Sequence, residues 1–500
     1  MRRRSACLGV IGTLLLAALP SGCTVGPDYV RPDTPLENKW DGSKSAASRV
    51  PEAALSGREA ALSGTEGHSA LAQWWKGFND PVLDRLINEA LESSLDLRLA
   101  QTRIRQARAE LAAAGAAALP KVNLSASDAR GRGSANVNTK SLGGAIGGNG
   151  TTTDLYKTGF DASWEIDLFG GVRRAVEAAK AGIEAAVEES RSVRVTLLGE
   201  VARNYIDLRG LQQELSIARN NLKSQQDTLE LTMSRYKAGL SSGLDAARAD
   251  SQAAQTASQI PVIEAAIKKS IYRIAVLLGN QPSALAEELS AERPVPAVSA
   301  QLPLGLPSEL LLRRPDIRRA ERELAVASAV IGVARSELFP RFNLTALVGL
   351  QSSNTSNLLA SGSRAWQIAP GVSLPIFAGG RIRANIEAKK AAGEAALLSY
   401  RSAVLSALEE VEGSLAAYYK GQERQRTLLR EVEADKLSVR LASERYLKGL
   451  TGFIDVLDAE RSLYSSQTRL SRSETDVSTN LVALYKALGG GWQEEKITKE

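Results

Sequence analysis

"GFDASWEIDLFGG", residues 159–171, alternates along its length. Phe160, Ala162, Trp164, Ile166 and Leu168 are apolar, whereas Gly159, Asp161, Ser163, Glu165 and Asp167 are small or acidic. A period of two predicts a strand with one greasy and one wet face. The chain then changes character at once. From about Gly171 to Tyr236 there is no proline, and an apolar seam through Val193, Leu197, Val201, Tyr205, Leu208, Leu215, Leu222, Leu229 and Tyr236 recurs in steps of three, four and seven. That spacing predicts coiled-coil-like helix packing, and at 1.5 Å per residue the segment would measure roughly 95–100 Å if continuous. A short amphipathic strand runs straight into a very long helix.

The same pattern is written twice. "SRYKAGLSSGLDAARAD" (234–250) matches "ERYLKGLTGFIDVLDAE" (444–460), pairing Tyr236 with Tyr446, Gly239 with Gly449, Leu240 with Leu450 and Asp245 with Asp455. "PKVNL" (120–124) matches "PRFNL" (340–344), and "DLFGG" (167–171) matches "PIFAGG" (375–380). An internal repeat of this kind sets the architecture before any local reading. Each half reads helix, strand, loop, strand, very long helix, turn, long helix. Strands are expected at about 121–130, 156–168, 341–351 and 364–376. Shorter helices are expected at about 96–119 and 316–339, and longer ones at 245–279 and 455–488, with Pro261 kinking or dividing the first of these. Pro370 and Pro375 count against regular pairing late in the fourth strand, and Pro375 marks its bend into helix. The loops 131–152 and 351–363 are rich in small and polar residues.

Composition narrows the function. Of 500 residues only 5% are aromatic, which suits long helices with modest cores. The net charge is +6, but residues 1–22 hold three of the 62 Lys and Arg and none of the 56 Asp and Glu, so without them it is about +3. No basic run with interleaved aromatics points to nucleic acid. "MRRRSACLGVIGTLLLAALPSGC" has the basic start and short apolar run of an export signal. The only cysteines are Cys7, inside that signal, and Cys23 directly after it. The single histidine, His68, and the lack of a metal-ligand spacing or nucleophile constellation predict neither an enzyme nor a cofactor. No window is long and apolar enough for a membrane helix, so a membrane span must be a β-barrel.

Four strands cannot close a barrel, for which about eight is the practical minimum. Left open, they present bare edges. The strands of several chains must therefore join, with Phe160, Trp164, Ile166, Trp366 and Ile368 facing lipid and Asp161, Glu165 and Asp167 facing water. A sandwich buried inside a soluble protein is the alternative. In "IDVLDAER", Ile454, Asp458 and Arg461 stand four and three apart on one helical face. Repeated around an axis they would form rings able to gate water and select cations. An ordinary Asp–Arg surface pair, worth little, fits the same spacing, and Arg248 of the first copy is a rival partner for Asp458. The turns "YKAGLSSGLD" and "YLKGLTGFID" carry Gly239 and Gly449 for a tight reversal and Leu240 and Leu450 as apolar knobs.

On these residues the chain resembles the outer membrane factor family, the TolC-like channels, in its NodT-type lipoprotein branch. The resemblance lies in "CTVGPDYVRP" (23–32), "WWKGFNDPVLDRLINEAL" (74–91), "RRPDIRRAERELAVASAVIGVARSELFPRFNL" (313–344), "PGVSLPIFAGGRIRANIEAKKA" (370–391), "ERYLKGLTGFIDVLDAERSLYSSQ" (444–467) and "LVALYKALGGGW" (481–492). It implies a mainly α homotrimer with a twelve-stranded transmembrane barrel, four strands per chain, continuous with an α-helical barrel. It implies an exit duct of a tripartite (RND-type) efflux pump, with a periplasmic adaptor and an inner-membrane pump as partners. Cys23 would carry a palmitate-type acyl and diacylglycerol anchor in the outer membrane of a Gram-negative bacterium. Gly239, Leu240, Gly449 and Leu450 would dock the adaptor, and Ile454, Asp458 and Arg461 would form the periplasmic gate. Residues 1–22 read as the signal, 23–73 as anchor and extended tether, 74–280 and 313–490 as the repeats, 281–312 as a linker and 491–500 as a tail. A duct for type I secretion of protein cargo and a non-conducting coiled-coil scaffold are the competing readings.

Overall fold

The computed structural model describes residues 24–35, 40, 71–132, 134, 152–296 and 309–493. The signal 1–22, Cys23, most of the tether, most of the first strand loop, residues 297–308 and the end of the tail lie outside the described residues. The protein is mainly helical with one small antiparallel sheet.

In chain order the elements are α1 (Pro81–Ser93), α2 (Leu95–Ala116), β1 (Lys121–Arg132), β2 (Thr152–Ile166), α3 (Gly171–Lys237), α4 (Gly243–Leu277), α5 (Ala286–Leu289), α6 (Leu310–Arg313), α7 (Pro315–Ser336), β3 (Arg341–Ser352), β4 (Arg364–Ser373), α8 (Arg381–Leu447) and α9 (Phe453–Ala487). Four pairs of elements in the two halves have equal lengths: 22 residues for α2 and α7, 12 for β1 and β3, 67 for α3 and α8, and 35 for α4 and α9, whereas β2 and β4 have 15 and 10. Helix α4 is not divided at Pro261. Ala253 and Thr256 before it and Ile263, Ile267 and Ile271 after it are all buried, so packing holds both sides while one backbone hydrogen bond is lost.

The chain divides into two compact units. One comprises Met1–Pro32, Arg105–Ala185 and Ala320–Tyr400 and contains the sheet. Its strands lie in the order β1-β2-β3-β4, each antiparallel to the next. The other comprises Asp33–Ile104, Ala186–Arg319 and Arg401–Glu500. Here the α3 seam is buried at Leu197, Val201, Tyr205, Leu208, Leu215 and Ala218, as are Val404, Val411, Leu415 and Tyr418 of α8. Each fully buried Leu or Val contributes about 1.5–3 kcal/mol. Asp80 starts α1 by accepting from the backbone N–H of Val82 at 2.8 Å and of Leu83 at 3.2 Å, ahead of Pro81 in the first turn. Its other oxygen accepts from the Tyr205 hydroxyl at 2.6 Å.

Candidate functional site

The register sorts the sheet residues by face. Leu124 pairs with Phe160, Phe160 with Val348, and Val348 with Trp366. This apolar row crosses all four strands with its members 70, 54, 59 and 76% exposed. The next row is Val122, Ala162, Ala346 and Ile368, and below it stand Trp164, Leu344 and Pro370, then Ile166, Phe342 and Val372. Phe160, Trp164, Ile166, Trp366 and Ile368 therefore share one apolar face, uncovered within the chain. The Trp164 indole N–H donates to the Ala118 carbonyl at 2.9 Å, which orients the ring at the base of the sheet. Strand β4 keeps its pairing through Ser373, past Pro370, because among the described residues it is an edge strand with one side free of partners. Residues 374–380 then lead irregularly into α8.

Asp161 and Glu165 lie on the opposite face. Asp161 accepts from the Asn123 side-chain amide at 2.9 Å across the β1–β2 pair. Asp167 stands elsewhere: β2 ends at Ile166, and the Asp167 carboxylate accepts from the backbone N–H of Arg173 at 2.9 Å in the first turn of α3. The alternation in the sequence continues to Leu168, but the backbone has already left the sheet to start the helix.

The two long helix pairs reverse in the same way. Gly239 has φ +73° and Gly449 φ +69°, a left-handed conformation that a side chain disfavours. Leu240 N–H donates to Arg235 C=O at 2.8 Å and Gly239 N–H to Tyr236 C=O at 2.9 Å; Leu450 and Gly449 repeat both bonds with Arg445 and Tyr446. These are Schellman helix ends. They leave Leu240 and Leu450 projecting, 68 and 64% exposed. Beyond the turns the copies differ. Ser242 and Asp245 form a reciprocal capping box on α4, whereas Gly452 gives α9 no side-chain cap.

Ile454, Asp458 and Arg461 lie together on the exposed side of α9, opposite the buried Phe453, Val456, Leu457 and Glu460. Arg461 does not pair with Asp458; its Nε donates to the Gln252 side-chain oxygen of α4 at 2.6 Å. Among the described residues no ion pair joins Asp458 to Arg461 or to Arg248. The hairpins do meet: the Arg235 guanidinium sits 4.8 Å over the Tyr446 ring, and Tyr446, Phe453, Val456, Leu457 and Ala249 form one buried cluster. Glu460 is buried, with the Thr228 hydroxyl donating to it at 2.9 Å, and burial pushes its carboxyl above the usual range against the opposing pull of that bond. The sequence reading passed over Phe453 and Glu460. Their signal is a departure from the repeat, since the matching positions are Gly243 and Asp250.

Solved structures with this architecture are outer-membrane channels. The chain is 37% identical to the outer-membrane channel OprN, with a TM-score of 0.84 over 94% of this chain and 100% of that one. It is 30% identical to the MtrE outer membrane channel of Neisseria gonorrhoeae in its open state, with a TM-score of 0.77 over 94% and 98%. The fold and surfaces are thus those of an outer-membrane efflux channel. The family model described as "Outer membrane efflux protein" matches residues 86–280 and 306–490, and the chain belongs to that family. Nodulation protein T of Rhizobium leguminosarum bv. trifolii is 32% identical over 96% of this chain and 97% of its own length. The solvent efflux pump outer membrane protein SrpC of Pseudomonas putida is 34% identical over 94% and 96%. The protein is an efflux channel of the Gram-negative outer membrane, reaching into the periplasm.

Proposed function

We propose that three copies of this chain form the exit duct of a tripartite efflux pump, passing small organic molecules out of the cell without chemistry of its own. The observation that carries this reading is the sheet: an exposed apolar face crossing four strands, with β1 and β4 each paired on one side only. Such edges need partners, and β4 of one copy against β1 of the next closes a twelve-stranded barrel. Phe160, Trp164, Ile166, Trp366 and Ile368 then face lipid, while Asp161 and Glu165 line water near the mouth, with Asp167 at the strand–helix junction. The equal lengths of four pairs of elements support a two-fold internal repeat, and the long helices continue the duct as an α-helical barrel. Leu240 and Leu450, beside Gly239 and Gly449, are the contacts for a periplasmic adaptor that links the duct to an inner-membrane pump. Ile454, Asp458 and Arg461 form the periplasmic gate, where an unpaired Asp458 on each copy makes an acidic ring selective for cations. Cys23 carries the lipid anchor, and no other cofactor is needed.

Native mass spectrometry in detergent tests the assembly, and planar-bilayer recording tests the pore. A trimer with a small closed-state conductance that Asp458→Ala raises is the expected outcome. A monodisperse monomer that conducts nothing would refute the duct.

A further inference from the structure

Residues 24–32 lie in the same compact unit as the four strands and are bound there along their length. The Val25 N–H donates to the Phe169 carbonyl, between β2 and α3, at 3.1 Å. Gly26 (φ +113°) approaches α7 so closely that a Cβ on it would fall 2.5 Å from the Gly332 Cα. Arg174 of α3, 3% exposed, gathers this segment. Its Nη2 donates to Asp28 Oδ1 at 2.6 Å and to the Gly26 carbonyl at 3.4 Å, its Nε to the Val25 carbonyl at 3.4 Å, and its Nη1 to Glu177 at 2.7 Å. Further along, the Tyr29 hydroxyl donates to Glu321 at 3.0 Å, and Arg31 pairs with the same carboxylate at 3.7 Å. At the start of the segment Thr24 touches Gly170: a Cβ there would lie 2.7 Å from Thr24 Cγ2.

A tether needs none of this. An anchored chain end that merely trailed from the membrane would keep its conformational entropy, and no buried guanidinium would be spent on its carbonyls. Five donor hydrogens in a fixed fork suit Arg174 to hold two carbonyls and a carboxylate at once. One peptide link spans about 3.8 Å between Cα atoms, so holding Thr24 confines the attachment point to its immediate neighbourhood.

We propose that Arg174 is the positioning residue for the membrane anchor, holding residues 24–28 against the β2–α3 junction so that Cys23 meets the leaflet beside the base of the sheet. Sheet and anchor then engage the membrane as one unit. The consequence for the membrane rests on the reading of Cys23 as lipidated; the docking itself does not.

The mature chain has Cys23 as its only thiol once the signal holding Cys7 is removed. Export behind an ordinary cleavable signal leaves Cys23 free for a nitroxide label, read by electron paramagnetic resonance in detergent. The label is expected to be immobilised in the wild type. Arg174→Ala should shorten its correlation time about threefold or more, toward the fast motion of a free terminus, and Asp28→Asn should give an intermediate spectrum. A second probe, Cys23→Ser with Thr158→Cys on β2, should not respond to Arg174→Ala, which separates strap release from loss of the sheet. A wild-type label as mobile as that of Arg174→Ala, or a label equally immobile in both, overturns the proposal. Lipidation is read independently from the mass of the N-terminal peptide after native export, so an unacylated Cys23 would sink that reading and leave the docking result standing.

Discussion

Truncating Phe453 to alanine tests how the second helix turn is held. Phe453 is the first residue of α9, is 2% exposed and meets the Tyr446 ring at 5.6 Å and 61°. Ala249 of α4, Val456 and Leu457 complete the cluster, with Leu229 of α3 and Ala442 of α8 packed against it, so the cluster joins four helices. Phe→Ala in such a site costs about 3–5 kcal/mol, of which the edge-to-face pair accounts for about 0.5–1.5. Besides the cluster, the turn is held by backbone bonds from Lys448, Gly449, Leu450 and Asp455 and by the Arg235 guanidinium over Tyr446, with no side-chain cap at Gly452. The loss should therefore fall on local opening and leave the apolar seam of α3 intact. At about 1.4 kcal/mol per factor of ten, amide exchange across residues 444–456 should speed up by about 100-fold or more. Hydrogen–deuterium exchange with mass spectrometry reads this directly, with residues 201–218 as an internal control. Phe453→Leu keeps most of the volume and should cost less than about 1.5 kcal/mol, a change within about tenfold. Exchange at 444–456 in Phe453→Ala that stays within about threefold of wild type would refute the idea that this cluster holds the turn.

Three further outcomes are expected. Burial raises the Glu460 carboxyl above its ordinary 4.5, so the fold prefers the neutral form; the α3–α9 contact is firmest below that value and weakens as pH rises through the raised one. Glu460→Gln keeps an acceptor for Thr228 and removes the charge, so thermal unfolding from pH 4 to 8 should be flatter than wild type and higher at neutral pH; parallel curves would exclude Glu460 as the source. Ser242→Ala should cost about 1 kcal/mol by breaking the capping box with Asp245, seen as about fivefold faster exchange at 241–248 with the second turn unchanged. Trp366→Arg puts a charge on the apolar row at a cost of about 2–4 kcal/mol if it sits near mid-membrane, so outer-membrane yield should drop, while Glu165→Arg on the other face should assemble and shift ion selectivity.

The parts legible in the sequence are those with a period. Phe160 to Ile166 announced the sheet face because side chains alternate whatever the strand's partners, and the matched turns at Gly239 and Gly449 announced equal helices before any helix was seen. What was hidden depends on where the backbone leaves its pattern. Asp167 reads as a strand residue by parity but starts α3, since a carboxylate ahead of free backbone N–H groups is drawn to them. Pro261 reads as a kink or a division, yet burial on both sides carries α4 through it undivided. Arg174 carries no periodic mark at all. Its role comes from nine residues, 24–32, that the sequence presents as a family-like stretch at the start of a tether, and it becomes visible once Val25, Gly26 and Asp28 are seen around one guanidinium.

The two hairpins share a backbone and differ in what holds them, and that difference bears on where a channel of this kind can move. In α3 the buried stretch from Leu197 to Ala218 is largely apolar, and separating it would expose large side chains to water. In α9 the buried residues between Leu457 and Leu481 are Glu460, Ser466, Ser471, Ser473 and Ser478. Its contacts there are polar: single hydrogen bonds join Thr228 to Glu460, Asn221 to Gln467 and Gln213 to Glu474 from α3, and Arg461 to Gln252 and Tyr464 to Gln259 toward α4, while Arg472 pairs through two bonds with Glu214 of α3 and Arg469 with Glu431 of α8. A neutral bond of this kind contributes about 0.5–1.5 kcal/mol net and one to a charged group about 1.5–3, because water can take either partner's place. A helix held in this way can exchange polar partners with little large apolar surface exposed. The Phe453 cluster is the exception, and it sits one turn from Ile454 and Asp458. Motion of the α9 face that carries Ile454 and Asp458 should therefore be governed by that cluster and by the charge state of Glu460, while the α3 seam stays fixed. Tyr236 is 48% exposed where Tyr446 is 6% exposed, so the first hairpin has no counterpart of this latch.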